Sequence, residues 1–272
     1  MSNSLKNFYI FTGKGGVGKT TAALLFAQYL HEQQKDVLYV TLSQQKLGEA
    51  SAQRPPKNNL SVPQLFLELE DCAQGYIQKK LGSSTIAQWV VRSAYFRALV
   101  NMLPGFGYLI SMGKMLEIIH ESQDKKIVIL DAPASGHALT MLEATKNFRE
   151  IFQSGLVFED TNKMIKKLYD PQHTCVRIIT LPTELSLQEA IELKDSIGLL
   201  AAIPCKIFLN QLLASWGQAI TDLPTALQKK VSLEDKVCQE YASHIDGNFP
   251  LVLETRLEDQ FQTLRPYLEQ LV

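Results

Sequence analysis

The sequence predicts an α/β protein built on a doubly wound, mostly parallel sheet. Three observations carry that prediction. Short apolar runs alternate with longer segments of helical spacing along most of the chain. A glycine-rich stretch, Gly13–Thr20, lies between one such run and one such helix. An aspartate, Asp131, closes the clearest apolar run. Strands separated by helical segments imply right-handed crossovers and parallel pairing. In such sheets ligands gather at the carboxyl ends of the strands.

The elements follow in order. Phe8-Tyr9-Ile10-Phe11 suits a buried strand, and Thr20–His31 places Ala23, Leu24, Ala27 and Leu30 at helical spacing. Asp36–Thr41 reads as a second buried strand, and Leu42–Asn59, with Pro55-Pro56, as a loop. Leu60–Leu69 alternates enough for an edge strand, with Asp71 as the expected cap of the next helix. Residues 72–123 form a helical insertion of two or three helices, broken near Gly82-Ser83-Ser84 and at Pro104-Gly105. Further strands are expected at Ile127–Leu130, Val176–Leu181, Lys206–Leu209 and Phe249–Val252, and a last helix at Leu257–Leu271. No low-complexity linker divides residues 1–272, so one large α/β domain is expected.

Composition narrows the class. At 272 residues such a domain buries roughly three quarters of its unfolded surface and needs no disulfide or metal to fold. A net charge of −1 argues against a broad nucleic-acid footprint. The first apolar run is four residues and no segment approaches ~20 apolar residues, so neither a secretory leader nor a membrane span is expected. Cys72, Cys175, Cys205 and Cys238 are scattered, with no C-x-x-C pair, which reads as a reducing cytoplasm and no zinc.

Gly13-Lys14-Gly15-Gly16-Val17-Gly18-Lys19-Thr20 satisfies the phosphate-loop pattern G-x-x-x-x-G-K-[ST] and adds a second lysine, Lys14. Glycines let consecutive N–H groups close on phosphate oxygens, and the following helix N-terminus favours negative charge. Lys19 places a point charge at the β- and γ-phosphates, and the Thr20 hydroxyl is suited to Mg2+. Asp131 stands where a carboxylate holds that metal, directly or through water. Gly136 follows where a backbone N–H senses the γ-phosphate, a natural switch. The plainer alternative makes Asp131 a cap for a helix beginning near His137, itself read as structural.

These motifs, together with Leu181-Pro-Thr-Glu-Leu-Ser-Leu187, resemble the arsenical-pump ATPase family. That family includes the ATPases targeting tail-anchored membrane proteins and is related to the Par and Min ATPases. The resemblance implies a P-loop NTPase working on ATP/ADP and Mg2+ as a nucleotide-sandwich dimer, with itself or a paralogue. Lys14 would then reach the partner's phosphates. It also implies that Asn210 contacts adenine, since the guanine-reading aspartate is missing from Asn210-Gln211-Leu212-Leu213. The expected catalytic residues are therefore Lys14, Lys19 and Asp131, and the expected metal ligands Thr20 and Asp131. Gly13, Lys14, Gly15, Gly16, Val17, Gly18, Lys19, Thr20, Thr21, Gly136 and Asn210 make up the expected cofactor-binding set.

The chain departs from that family in three ways. Ser43 stands where the family has its water-positioning aspartate, so firm ATP binding and slow or absent hydrolysis are expected, with Glu49 a nearby substitute. The zinc clasp and any thiolate cluster for arsenite are missing, which disfavours a metalloid role. The family's long client-binding insertion after the switch is reduced to about thirty residues, Thr145–Thr174. A client surface would then fall in 72–123, around Met102, Met112, Met115, Leu103, Phe106, Leu109 and Ile110, unless these apolar residues pack in the core. Two functions stand open: a dimeric ATPase acting on a protein client or membrane partner, and a non-hydrolysing pseudo-ATPase regulator that pairs with itself or an active paralogue. Membrane contact is expected only through a partner. The C-terminal helix lacks the lysine-rich face of a Min-type surface anchor.

Overall fold

In a computed structural model, residues 5–43, 58–213 and 224–272 are described. Glu49 and nearly all of the Leu42–Asn59 loop lie outside them. The described residues form a seven-stranded sheet, β1 (Phe8–Thr12), β2 (Val37–Leu42), β3 (Gln64–Leu67), β4 (Ile127–Asp131), β5 (Thr174–Thr180), β6 (Cys205–Leu212) and β7 (Gly247–Pro250). Their order is β3-β2-β4-β1-β5-β6-β7 and every pairing is parallel. The central strands are buried on consecutive residues because both faces are covered, as parallel crossovers require.

Among the described residues ten helices surround the sheet: α1 (Lys19–Glu32), α2 (Leu69–Leu81), α3 (Ser84–Arg92), α4 (Ala94–Met102), α5 (Phe106–Glu121), α6 (Ser135–Phe152), α7 (Leu156–Leu168), α8 (Glu184–Leu200), α9 (Thr225–Glu240) and α10 (Leu257–Leu268). Alternation along each strand sends Tyr9, Phe11, Tyr39 and Ile129 toward one face, where they pack with Phe26 of α1 and Phe261 of α10. Ile10, Val40, Leu130 and Ile178 pack on the other face with α5, α6 and α8.

The structure redraws several expected boundaries. β3 is the edge strand but spans only Gln64–Leu67. α2 begins at Leu69, so Asp71 is not its cap; it lies in the first turn, where a negative charge still suits the helix dipole. The helical block runs from Leu69 to Glu121 as four helices rather than two or three. The additional break is Ser93, whose hydroxyl accepts from the Phe96 N–H and donates to the Val90 carbonyl. One short polar side chain thereby ends α3 and caps α4. Met112 and Met115 are wholly buried with Phe106 and Leu109, so core packing claims them, and only Met102 of the three methionines faces solvent.

Candidate nucleotide site

The Gly13–Thr20 loop leaves β1 at the centre of the sheet, where the chain turns first toward β2 and later toward β5. Three of its glycines, Gly13, Gly16 (φ +81°) and Gly18, have backbone angles that strain any other residue, and at two of them a β-carbon would also clash. Gly13 has φ +147°, and a β-carbon there would stand 2.1 Å from the Ile179 carbonyl oxygen of β5. Gly18 has φ +87°, and a β-carbon there would meet the Asn210 side-chain amide at 2.3 Å. The loop therefore lies tight against the ends of β5 and β6. Gly15 and Gly16 face open space. The first helical bond of α1 runs from Ala22 N–H to the Gly18 carbonyl, so the N–H groups of Lys19, Thr20 and Thr21 have no partner within the helix. That geometry favours an anion.

Asp131, at the end of β4, meets this loop. Its Oδ2 accepts from the Thr20 hydroxyl at 2.7 Å and from the Tyr39 hydroxyl at 3.3 Å. Its Oδ1 is buried without a hydrogen-bond partner. Burial raises the Asp131 pKa, and the Thr20 hydroxyl, the Lys19 charge and the Tyr39 hydroxyl partly offset that rise. No cap to α6 is involved: the residue at that position is Ala134, with no side-chain bond. An orphaned carboxylate oxygen beside a hydroxyl is a pair of hard oxygen donors. Thr20 and Asp131 therefore fit Mg2+.

The stretch after Asp131 is tied by three bonds to the end of β1 and the first residue of the loop. Ala132 N–H donates to the Phe11 carbonyl, Ser135 N–H to the Gly13 carbonyl, and the Thr12 hydroxyl to the Pro133 carbonyl. Gly136 lies exposed in the first turn of α6. Asn210, at the carboxyl end of β6, donates through Nδ2 to the Val17 carbonyl at 2.8 Å, which leaves Oδ1 and a second amide hydrogen for a further partner. Lys14 points elsewhere. Its ammonium pairs with Glu189 of α8 at 2.8 Å, both side chains part-exposed. Ser43 follows β2, its N–H bonded to the Leu67 carbonyl. Among the described residues no group of three His, Cys, Asp or Glu gathers as a metal site, and no helix is long and apolar enough to cross a membrane.

The expected set thus converges around the loop, with Lys14 turned to its flank. Sequence reasoning missed Tyr39, Thr12 and Glu189. Tyr39 carried no local signal: only the β2–β4 register, with Thr41 beside Asp131, sets it on the strand face that carries Asp131.

A family model described as anion-transporting ATPase matches residues 6–157, covering the loop, Tyr39, the helical block and Asp131. ATPase BagA of Mycobacterium tuberculosis is 24% identical over 210 residues, covering 70% of this chain and 60% of that protein. Putative arsenical pump-driving ATPase 2 of Aquifex aeolicus is 27% identical over 172 residues, covering 60% of this chain and 55% of that protein. ATPase asna-1 of Caenorhabditis elegans is 24% identical over 258 residues, covering 75% and 74%. The chain thus spans 60% or less of the length of the mycobacterial and Aquifex relatives.

Proposed function

This chain belongs to the anion-transporting ATPase family, and from that premise we propose that it binds Mg2+–ATP at the Gly13–Thr20 loop and acts as a slow, nucleotide-gated dimeric ATPase on a protein client or membrane partner. One observation carries the reading: Thr20 and Asp131 meet at the loop's mouth, with Asp131 Oδ1 buried and unsatisfied.

The chain's own groups divide the work. The loop amides and the α1 N-terminus grip the phosphates, and Lys19 adds its charge at the β- and γ-positions. Thr20 and Asp131 would hold the magnesium ion, which when bound neutralises phosphate charge. Asn210, braced on Val17, offers its free amide groups to adenine. Lys14 crosses to a facing copy and stabilises charge on that copy's phosphates, as an arginine finger does. Its contact with Glu189 is no obstacle, because a part-exposed ion pair contributes only about 0–1 kcal/mol. The serine at 43 is a poor proton acceptor near neutral pH, so water activation is the weak step. Client docking is assigned to the outer face of α3 and α4. There Ile86 and Trp89, and then Tyr95, Leu99 and Met102 at helical spacing, stay exposed.

The second reading, a non-hydrolysing regulator, rests on Ser43 alone. Calorimetry with ATP and Mg2+, followed by single-turnover hydrolysis against Lys19→Ala as blank, decides between them. Binding with turnover above the blank supports the ATPase; binding without it supports the regulator; no binding removes both.

A further inference from the structure

We infer that Tyr39 is a positioning residue for the metal-binding carboxylate, a second hydroxyl that locks Asp131 so that its free oxygen faces the nucleotide site. The inference rests on the nucleotide-site reading above and deepens it.

Strand register makes the contact. β2 and β4 run parallel with Thr41 beside Asp131 and Tyr39 beside Ile129. Tyr39 thus starts two residues below Asp131, a rise of about 6.6 Å, on the same face of the sheet. A tyrosine ring with its hydroxyl spans that gap; an aliphatic side chain would end short of it. Tyr39 is 3% exposed and packs in the cluster beneath α1, so its hydroxyl needs a partner within the protein. Asp131 Oδ2 is that partner, at 3.3 Å.

The consequence lies in how the carboxylate is divided. Thr20 and Tyr39 both donate to Oδ2 and approach it from different elements, α1 and β2. Two donors on one oxygen fix the rotation of the group and leave Oδ1 as the buried, unpaired atom. With Thr20 alone, a threonine hydroxyl that must also face a metal would be the sole anchor. Tyr39 is a donor that no bound ligand recruits, because it lies below the site among apolar residues. Groups behind a metal ligand of this kind typically change metal affinity by 10–100-fold when lost. A bond of 3.3 Å belongs at the lower end.

The test uses Tyr39→Phe, which keeps the ring and removes only the hydroxyl. ADP or ATP affinity is measured by calorimetry with Mg2+ and with EDTA, and Mn2+ affinity of the nucleotide complex by electron paramagnetic resonance. Expected is a loss of about tenfold in Mn2+ affinity and in the metal-dependent gain in nucleotide binding, with metal-free affinity unchanged within about twofold. A metal-dependent gain equal to wild type overturns the role of Tyr39. Asp131→Asn supplies the second arm: Tyr39→Phe added to it should cost nothing further, and an additive loss would mean that Tyr39 acts by packing, also overturning the inference. Wild type with no nucleotide affinity in either buffer would instead remove the nucleotide-site reading.

Discussion

Lys14 and Lys19 lie on one loop but meet different surroundings, and their substitutions should therefore fail in different assays. Lys19 stands at the start of α1, close enough to Asp131 to favour its ionised form. Lys14 is drawn to Glu189 on the loop's flank. Lys19→Ala should weaken nucleotide binding by tenfold or more in calorimetry. Lys14→Ala should leave that affinity within a few-fold and abolish ATP-dependent dimers in light scattering. A loss of binding in Lys14→Ala would place its charge within its own site and contradict the crossed arrangement. Ser43→Asp should raise the single-turnover rate by about tenfold or more, since a carboxylate orients and activates water where a hydroxyl does not. An unchanged rate would mean that the loop after β2 does not deliver residue 43 to the reacting phosphate.

Among the elements, the phosphate loop is the one whose backbone leaves least choice. An alanine at Gly13 would have to occupy φ +147° with its β-carbon against the Ile179 carbonyl, and neither that oxygen nor the central strand behind it can retreat cheaply. Gly13→Ala should lower folding stability by about 2 kcal/mol or more and remove nucleotide binding. Gly15→Ala meets open space and should keep the melting temperature near wild type. Equal melting temperatures for the two variants would show that the loop relaxes away from β5. The helical block behaves oppositely. Its inner face is fixed by Met112, Met115 and Leu109, whereas α3 and α4, which pack on α2 and α5, bury only small or branched residues, Ala87, Val91 and Val100. Their outer face therefore stays apolar and uncovered.

For the whole molecule, one buried cation ties the chain's later part to its central strand. Arg177 of β5 is 2% exposed, lies over the Tyr9 ring, and donates from Nε and Nη2 to the carbonyls of Leu271 and Val272. α10 and the short 3-10 turn at Glu269–Leu271 are thereby fastened to the sheet face that also holds α1. Charged hydrogen bonds of this kind contribute about 1.5–3 kcal/mol each. Arg177→Met, which keeps the apolar stem, should therefore cost about 3 kcal/mol and lower the thermal midpoint by several degrees, without changing metal-dependent nucleotide affinity. A midpoint equal to wild type would show that apolar packing alone holds α10.

The sequence by itself determined the alternation of strands and helices, and with it the parallel sheet and the carboxyl edge where the loop, Asp131 and Asn210 collect. Those features depend on local periodicity and on glycines whose backbone angles other residues rarely adopt. Helix starts were legible from apolar periodicity rather than from caps: α1 and α10 begin within a residue of Thr20 and Leu257 with no capping side chain, Ser93 caps α4 without having signalled it, and Asp71 looked like a cap although the backbone had already turned helical at Leu69. The tertiary structure alone decided that Tyr39 reaches Asp131, that Lys14 rests on Glu189, and that Met112 and Met115 lie in the core while Met102 does not. Each of these depends on strand register or on helix rotation about its axis. Those are set by packing among residues distant in sequence, and no local pattern encodes them.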